Sequence, residues 1–292
     1  MDTEKCKILL SIIKNGKMSA AAEELGYTPA GISRAVEAME TSAGFRILRR
    51  GKKGVSLTRE GEALLPMVRE LAYWGERYEQ EVRKLCGLDT GSIAVGTSYP
   101  KYYPWLTKVI GGFHERYPGI SVEICSGTSR ELADKMSERE LDFAVISRRD
   151  GSFRSVTVRE DELVALLPPE HPMANEKSVP AEIFEREPYI EIHTGQETDN
   201  SHCFESRGIS PNIKFSTPDS FVAWRMVKAG LGVTLVNRVI SEELGAGVAC
   251  VPLGPPEKAE ICAILPEREL ISPAAESFAA YAANYIEELK KL

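Results

Sequence analysis

Between Arg59 and Cys86 the only proline is Pro66, and Leu64, Val68, Leu71, Gly75, Tyr78, Val82 and Leu85 recur at alternating steps of four and three. That spacing keeps them on one stripe of a helix, as in a heptad seam. At 1.5 Å per residue the helix would be roughly 40 Å long, too long for a small flanking domain to cover. The seam therefore predicts pairing with a second copy of the chain through Leu64, Val68, Leu71, Tyr78 and Val82. Gly75 would either weaken the seam or let two helices approach closely. The run also divides the chain into a head before it and a body after it.

Head and body differ in charge. Residues 1–60 hold 11 Lys and Arg against 7 Asp and Glu, a net of +4, which leaves −11 for the rest of a chain whose net is −7. A basic head on an acidic body predicts that only the head meets a polyanion. No stretch approaches the roughly 20 apolar residues of a membrane span, and Asp2, Glu4, Lys5 and Lys7 stand where an export signal would be apolar. A soluble, cytoplasmic protein with no membrane partner is expected. The six cysteines contain no C-x-x-C pair and read as free thiols.

In the head, Ile8, Leu9, Ile12 and Ile13 recur at helical spacing before Asn15-Gly16, and Ser19 is expected to cap a short second helix ending at Gly26. Thr28 is a good N-cap and Pro29 falls at the first helical position, where a missing N–H costs nothing. Ile32, Val36 and Met39 then line one face of a third helix while Ser33, Arg34 and Glu37 point elsewhere. Two short helices joined through a glycine turn form either a helical hairpin or a helix-turn-helix, whose second helix enters a DNA major groove. The next segment, "FRILRRGKKGVSLTREG", reads as a hairpin with Arg49, Arg50, Lys52 and Lys53 at its tip, suited to contacting phosphate without reading bases. Its position favours DNA.

Residues 18–65, "MSAAAEELGYTPAGISRAVEAMETSAGFRILRRGKKGVSLTREGEALL", resemble the winged helix-turn-helix of LysR-type transcriptional regulators: the Ala pair, the Leu-Gly, the Ser-containing recognition helix and the "LT.EG" appear in that order. The resemblance implies DNA contacts at Ser19, Thr28, Pro29, Ala30, Ser33, Arg34, Glu37, Arg49, Arg50, Lys52, Lys53 and Thr58. The family commonly has Gln where this sequence has Pro29, so base readout would fall more heavily on Ser33, Arg34 and Glu37. It also implies an antiparallel homodimer along the long helix, or a tetramer of such dimers.

After "GLDTG", a hinge expected over residues 87–91, strands and helices alternate: "SIAVGTS", "WLTKVIGGFHERYP", "ISVEIC", "SRELADKMSERE", "LDFAVI" and onward to a closing helix from Pro273 to Lys291. Repeated βαβ units predict a largely parallel sheet, and so many strands predict two α/β lobes. "HPMA", "LDFAVI" and "VKAGLGVTLVN" again resemble the LysR family, so the resemblance covers essentially the whole chain, with Asn237 where a proline is usual. The expected architecture is an α+β multidomain chain: winged helix-turn-helix over 1–58, linker helix over 59–86, and a two-lobed, periplasmic-binding-protein-like effector domain over 92–292. The resemblance places lobe I at 92–160 and 267–292 and lobe II at 161–266, with crossings near Glu160 and Pro266.

A small molecule is expected between the lobes, where strand ends and helix N-termini converge. The residues expected there are Thr97, Ser98, Tyr99, Thr128, Ser129, Ser147, His193, Ser216 and Thr217. Their hydroxyls suit a carboxylate, though each Ser or Thr also suits a helix cap. Tyr99, Tyr102, Tyr103 and Trp105 suggest a wall for an aromatic effector or packing over the cleft. "HTGQETDNSHCF" gathers His193, His202 and Cys203, but its spacing matches no zinc pattern; no metal, cofactor or catalytic residue is expected. An enzyme lacks support, since there is no G-x-S-x-G, P-loop or G-x-G-x-x-G. A solute-binding or metabolite-binding α/β protein without DNA function would leave the basic head unexplained.

Overall fold

The computed structural model describes residues 2–51, 54–85 and 90–291. Lys52 and Lys53, Cys86, residues 87–89 of the expected hinge and the side chain of Leu85 lie outside the described residues. Two compact units meet in sequence at residues 89 and 90.

The first unit contains α1 (Thr3–Asn15), α2 (Met18–Glu24), α3 (Pro29–Ala43), a hairpin of β1 (Leu48–Gly51) and β2 (Gly54–Leu57), and α4 (Arg59–Leu85). Ile8, Leu9 and Ile12 of α1 pack on Ile32, Val36 and Met39 of α3, on Ile47 and on Val68 of α4. Thr28 caps α3, its Oγ1 accepting the Gly31 N–H at 3.1 Å, with Pro29 in the first turn. The cap of α2 is Lys17, which makes no side-chain capping bond, so Ser19 lies inside the helix and is exposed, contrary to expectation. Alanine and methionine are strong enough helix formers to extend the helix back to Met18.

One buried carboxylate fixes the wing to α3. Glu40 accepts the N–H groups of Ile47 at 2.8 Å and Leu48 at 3.0 Å and pairs with Arg46 at 2.6 Å. Burial would raise its pKa, but these amides and the guanidinium hold it below the ordinary carboxylate value. The "LT.EG" segment is also structural. Thr58 Oγ1 accepts from Gly61 N and donates to the Arg46 and Ile47 carbonyls, and a side chain on Gly61 would collide with the Ile47 carbonyl. Gly75 serves α1 of the same chain, since a Cβ there would strike Thr3.

The second unit alternates β3 (Gly91–Thr97), a 3₁₀ turn, α5 (Tyr103–Arg116), β4 (Ile120–Ser126), α6 (Ser129–Ser137), β5 (Phe143–Ser147) and the long β6 (Phe153–Leu167). It continues through α7 (Ile183–Arg186), β7 (Tyr189–Ile192), α8 (Asp199–Arg207), β8 (Ile213–Thr217), α9 (Ser220–Lys228), β9 (Thr234–Asn237), α10 (Arg238–Ser241), β10 (Ala249–Pro252) and β11 (Lys258–Pro266). It closes with α11 (Pro273–Ala282), a 3₁₀ turn and α12 (Ile286–Leu289), so the expected single closing helix is broken.

β6 belongs to both lobes, and β11 lies in lobe I. Residues 153–162 of β6 pair with β11 in lobe I, whose order is β6-β11-β5-β3-β4; residues 163–167 pair with β9 and β10 in lobe II. The chain leaves on β6 and returns on β11, so these two run antiparallel, and the sheet is mixed where a largely parallel one is expected. The return crossing lies at the start of β11, where Lys258 pairs with Glu162; Pro266 is its far end, opposite Phe153. The proline punctuates a strand end in lobe I, which in sequence looks the same as a crossing.

The Glu40 staple makes a prediction about the head. At neutral pH, Glu40→Gln should lower the stability of the head by about 1–3 kcal/mol in urea unfolding. A depressed folded pKa contributes stability above the unfolded value near 4.3, lost as pH falls through the folded value. The two proteins should therefore converge in acid, and a difference that persists there contradicts the assignment.

Candidate effector cleft and DNA-binding face

On the head, Thr28, Pro29, Ala30, Arg34 and Glu37 are exposed along the start and polar face of α3, and Ser33 is half-buried. Arg50 reaches back from the wing to donate to Ser33 Oγ at 3.3 Å, with Arg49 exposed beside it. The Arg50–Ser33 bond puts the wing against the polar face of α3. Thr58 does not offer its hydroxyl to it, because that group is spent on the Arg46 and Ile47 carbonyls and on Gly61.

Along α4, Leu64 and Val68 face inward and pack on the head's own core, contrary to the expected seam. The exposed stripe is Met67, Leu71, Trp74, Tyr78 and Val82, with Tyr78 71 % exposed. Sequence reasoning missed Met67 and Trp74 because the first turns of the helix carry two apolar faces, one claimed by α1 and α3.

In the second unit, the lobes enclose a cleft of about 480 Å³. Thr97, Ser98, Tyr99, Thr128, Ser129 and His193 line it as expected positions. Ser98 Oγ meets Ser129 Oγ at 3.0 Å, and Ser129 Oγ accepts the Ser147 N–H at 2.9 Å, so lobe I presents a bonded row of hydroxyls. Thr128 is also the cap of α6, in a capping box with Glu131. Ser216 is exposed on β8, outside the lining, and Thr217 is buried in the turn behind it, accepting from Asp219 N.

The expected aromatic wall is mostly core. Tyr99, Tyr102 and Trp105 are buried among Val109, Phe143 and Phe278, and Trp105 Nε1 donates to the Tyr285 carbonyl at 3.0 Å. Only Tyr103 and the edge of Tyr99 reach the cleft. His202 pairs with Glu197 and Cys203 lies in the lobe II core, so the histidine-cysteine segment divides among three environments.

Four lining residues that sequence reasoning did not single out for this site set its charge: Arg149, Glu197, Asp199 and Asp219. Arg149, whose side chain is 4 % exposed, follows β5 of lobe I and donates to Asp199 Oδ1 at 2.8 Å, on lobe II. Asp199 Oδ2 accepts from Asn237 Nδ2 at 2.8 Å and Ser147 Oγ at 2.5 Å, and Tyr99 OH lies 3.3 Å away. Ser147 gives its proton to Asp199, so the short Tyr99–Ser147 bond is donated by the phenol. Burial, then the Asp199 charge, pushes the Tyr99 phenol well above its ordinary pKa and keeps it a donor. Asp219 caps α9, accepting from Phe221 N and Val222 N, and has no cationic partner among the described residues.

Three helix N-termini thus meet at the cleft, and at those of α6 and α9 a carboxylate of the chain, Glu131 or Asp219, already accepts a backbone N–H. The lining carries one arginine against three carboxylates. The one arginine of the lining is already paired with a carboxylate of the chain.

His193 adopts φ 59°, a left-handed conformation that non-glycine residues seldom take. Burial holds its imidazole below the ordinary pKa, against the pull of nearby Glu131 and Asp219, so it is neutral at pH 7.

Two family models match the chain: "Bacterial regulatory helix-turn-helix protein, lysR family" over residues 3–62 and "LysR substrate binding domain" over residues 87–286. The chain belongs to the LysR family of transcriptional regulators. Among relatives, the HTH-type transcriptional regulator TtuA of Agrobacterium vitis is 28 % identical, covering 87 % of this chain and 86 % of its own. The RuBisCO operon transcriptional regulator of Acidithiobacillus ferrooxidans is 25 % identical over 94 % and 91 %. Among solved structures, the LysR-family regulator HinK of Pseudomonas aeruginosa is 26 % identical with a TM-score of 0.54 over 100 % of both chains. The LysR-family regulator CbnR, 18 % identical, shares the fold with a TM-score of 0.63 over 100 % of both.

Within this LysR-type regulator the left-handed residue gives a direct check. His193→Gly should unfold within about 0.5 kcal/mol of the parent, because glycine adopts this backbone freely, whereas His193→Val should cost about 1–3 kcal/mol in denaturant melts. Equal costs for the two would contradict the strained assignment.

Proposed function

We propose that this LysR-type regulator binds an operator as a dimer joined along α4, and that a small polar effector, neutral or cationic, binds between the lobes and shifts the spacing of its DNA-binding heads. The observation that supports DNA reading is the exposure of Arg34 and Glu37 on α3, whose Ile32, Val36 and Met39 face the core, beside a basic wing whose Arg50 bonds Ser33 of the same helix. Arg34 has the reach for a bidentate contact with a guanine edge, and Glu37 is able to accept from a cytosine amino group. Arg49 and Arg50 act on phosphate.

The exposed stripe of Met67, Leu71, Trp74, Tyr78 and Val82 supports dimerisation, since a single-chain helix would leave it in water. Two heads on one dimer then fit two half-sites. The lining's excess of carboxylates supports a cationic or neutral effector. An effector changes the DNA-bound state only through different affinities for the two arrangements.

The test is capture of genomic fragments by the intact protein, followed by binding titrations on a recovered site. Arg34→Ala should lose about 1–3 kcal/mol of discrimination between the site and a mutated site, whereas Arg49→Ala should weaken all sequences alike and reduce the salt slope by about 1. Equal effects on both measures would contradict the division of roles. Leu71→Asp with Tyr78→Asp should yield monomers by sedimentation and abolish tight operator binding; an intact dimer would contradict the seam.

A further inference from the structure

The carboxylate of Asp199 sits in the kind of seat that a binding protein builds for a small acid. It receives an arginine, the Ser147 hydroxyl and an amide N–H within 2.8 Å, with the Tyr99 hydroxyl bonded to Ser147 behind them, and it stands at the first position of α8, a helix of nine residues, just after the Thr198 cap. Donors at that density, with a helix N-terminus behind them, are what a carboxylate ligand needs. The donors Ser147 and Arg149, and Tyr99 behind Ser147, belong to lobe I, whereas Asn237 and Asp199 belong to lobe II. The seat therefore exists only where the two lobes meet.

We propose that this is a carboxylate-binding site whose resident ligand is the chain's own Asp199, a tethered acid that clamps the lobes together and closes the seat to free carboxylates. The inference rests on the reading of the cleft as an effector site and deepens it: the effector of the intact protein binds beside the clamp and not in it.

Three features support the clamp over an ordinary surface ion pair. Arg149 and Asp199 are 4 % and 10 % exposed at their side chains, so their attraction is little screened by solvent. Asn237, itself buried at the end of β9, spends its Nδ2 on Asp199 at 2.8 Å. Asn200 Nδ2 donates to the Leu235 carbonyl at 2.7 Å, which anchors the start of α8 to β9 and leaves Asp199 little freedom to swing away.

If Asp199 is a tethered ligand, removing its carboxylate leaves a vacant seat of formate size with Arg149, Ser147, Tyr99 and Asn237 still in place. In full-length protein, Asp199→Ala should lower the melting midpoint of the effector unit by about 5–10 °C in chloride buffer. Sodium formate at equal ionic strength should restore at least half of that loss, saturably. Wild type should show no formate response beyond chloride, and Asp199→Ala combined with Arg149→Met should lose the rescue. A midpoint unchanged by Asp199→Ala, a variant indifferent to formate, or a wild type that responds to formate as the variant does would each overturn the proposal. If Asp199→Ala does not fold in chloride, refolding it from urea in formate should recover the folded protein, and equal recovery in both salts would overturn it. Operator binding by the wild type is measured separately, so a failure of the clamp is distinguishable from a failure of the regulator reading.

Discussion

The chain passes from one lobe to the other within β6 and returns at the start of β11, and everything in the cleft depends on those two crossings. The ten residues 153–162 of β6 lie in lobe I and the next five in lobe II, so the lobes cannot separate without bending two crossings, β6 itself and the lead-in to β11 beside it, where Leu163 N donates to the Glu257 carbonyl. Such a pair permits small rotations and resists large ones, the behaviour expected of a hinge made from element ends. Near it, buried Asp161 accepts from Val239 N and Arg159, while burial raises its pKa. The Asp199–Arg149 pair then ties the lobes from the cleft side, opposite in effect to the freedom of the hinge.

The head shows the same economy of means. Glu40 and Thr58 hold the wing in place by bonds to backbone, and among the described residues Arg34, Glu37, Arg49 and Arg50 make no side-chain hydrogen bond apart from the Arg50–Ser33 contact. Rigid support beneath exposed readers is what sequence recognition requires, because a contact misplaced by about 1 Å loses much of its discrimination.

Much of this was legible in the sequence, for identifiable reasons. Local signals with one dominant cause read correctly: Thr28-Pro29 starts a helix because capping and a fixed φ agree, and "LDFAVI" is a buried strand because nothing else accommodates such a run. Signals with two tertiary outcomes did not. Leu64 and Val68 share the heptad spacing of Leu71 and Tyr78, and only the packing of α1 and α3 reveals that they belong inside. In the cleft, the hydroxyls after strands and before helices were visible as a pattern, but Arg149 and Asp199 are 50 residues apart and meet only because β6 and β11 bring two lobes together. Charge pairing over that distance leaves no local trace. Asn237 was noticeable as a departure from the family, and its partner became apparent only with the fold.

The central claim is that Arg149 and Asp199 act as one unit across the cleft. A double-mutant cycle with Arg149→Met, Asp199→Asn and the combined variant, read by chemical unfolding of the effector unit, tests it most directly. The account predicts a coupling of about 2 kcal/mol or more, because either single change strands a buried group whereas the double change strands neither. A coupling below about 0.5 kcal/mol, the additivity of independent sites, would contradict it.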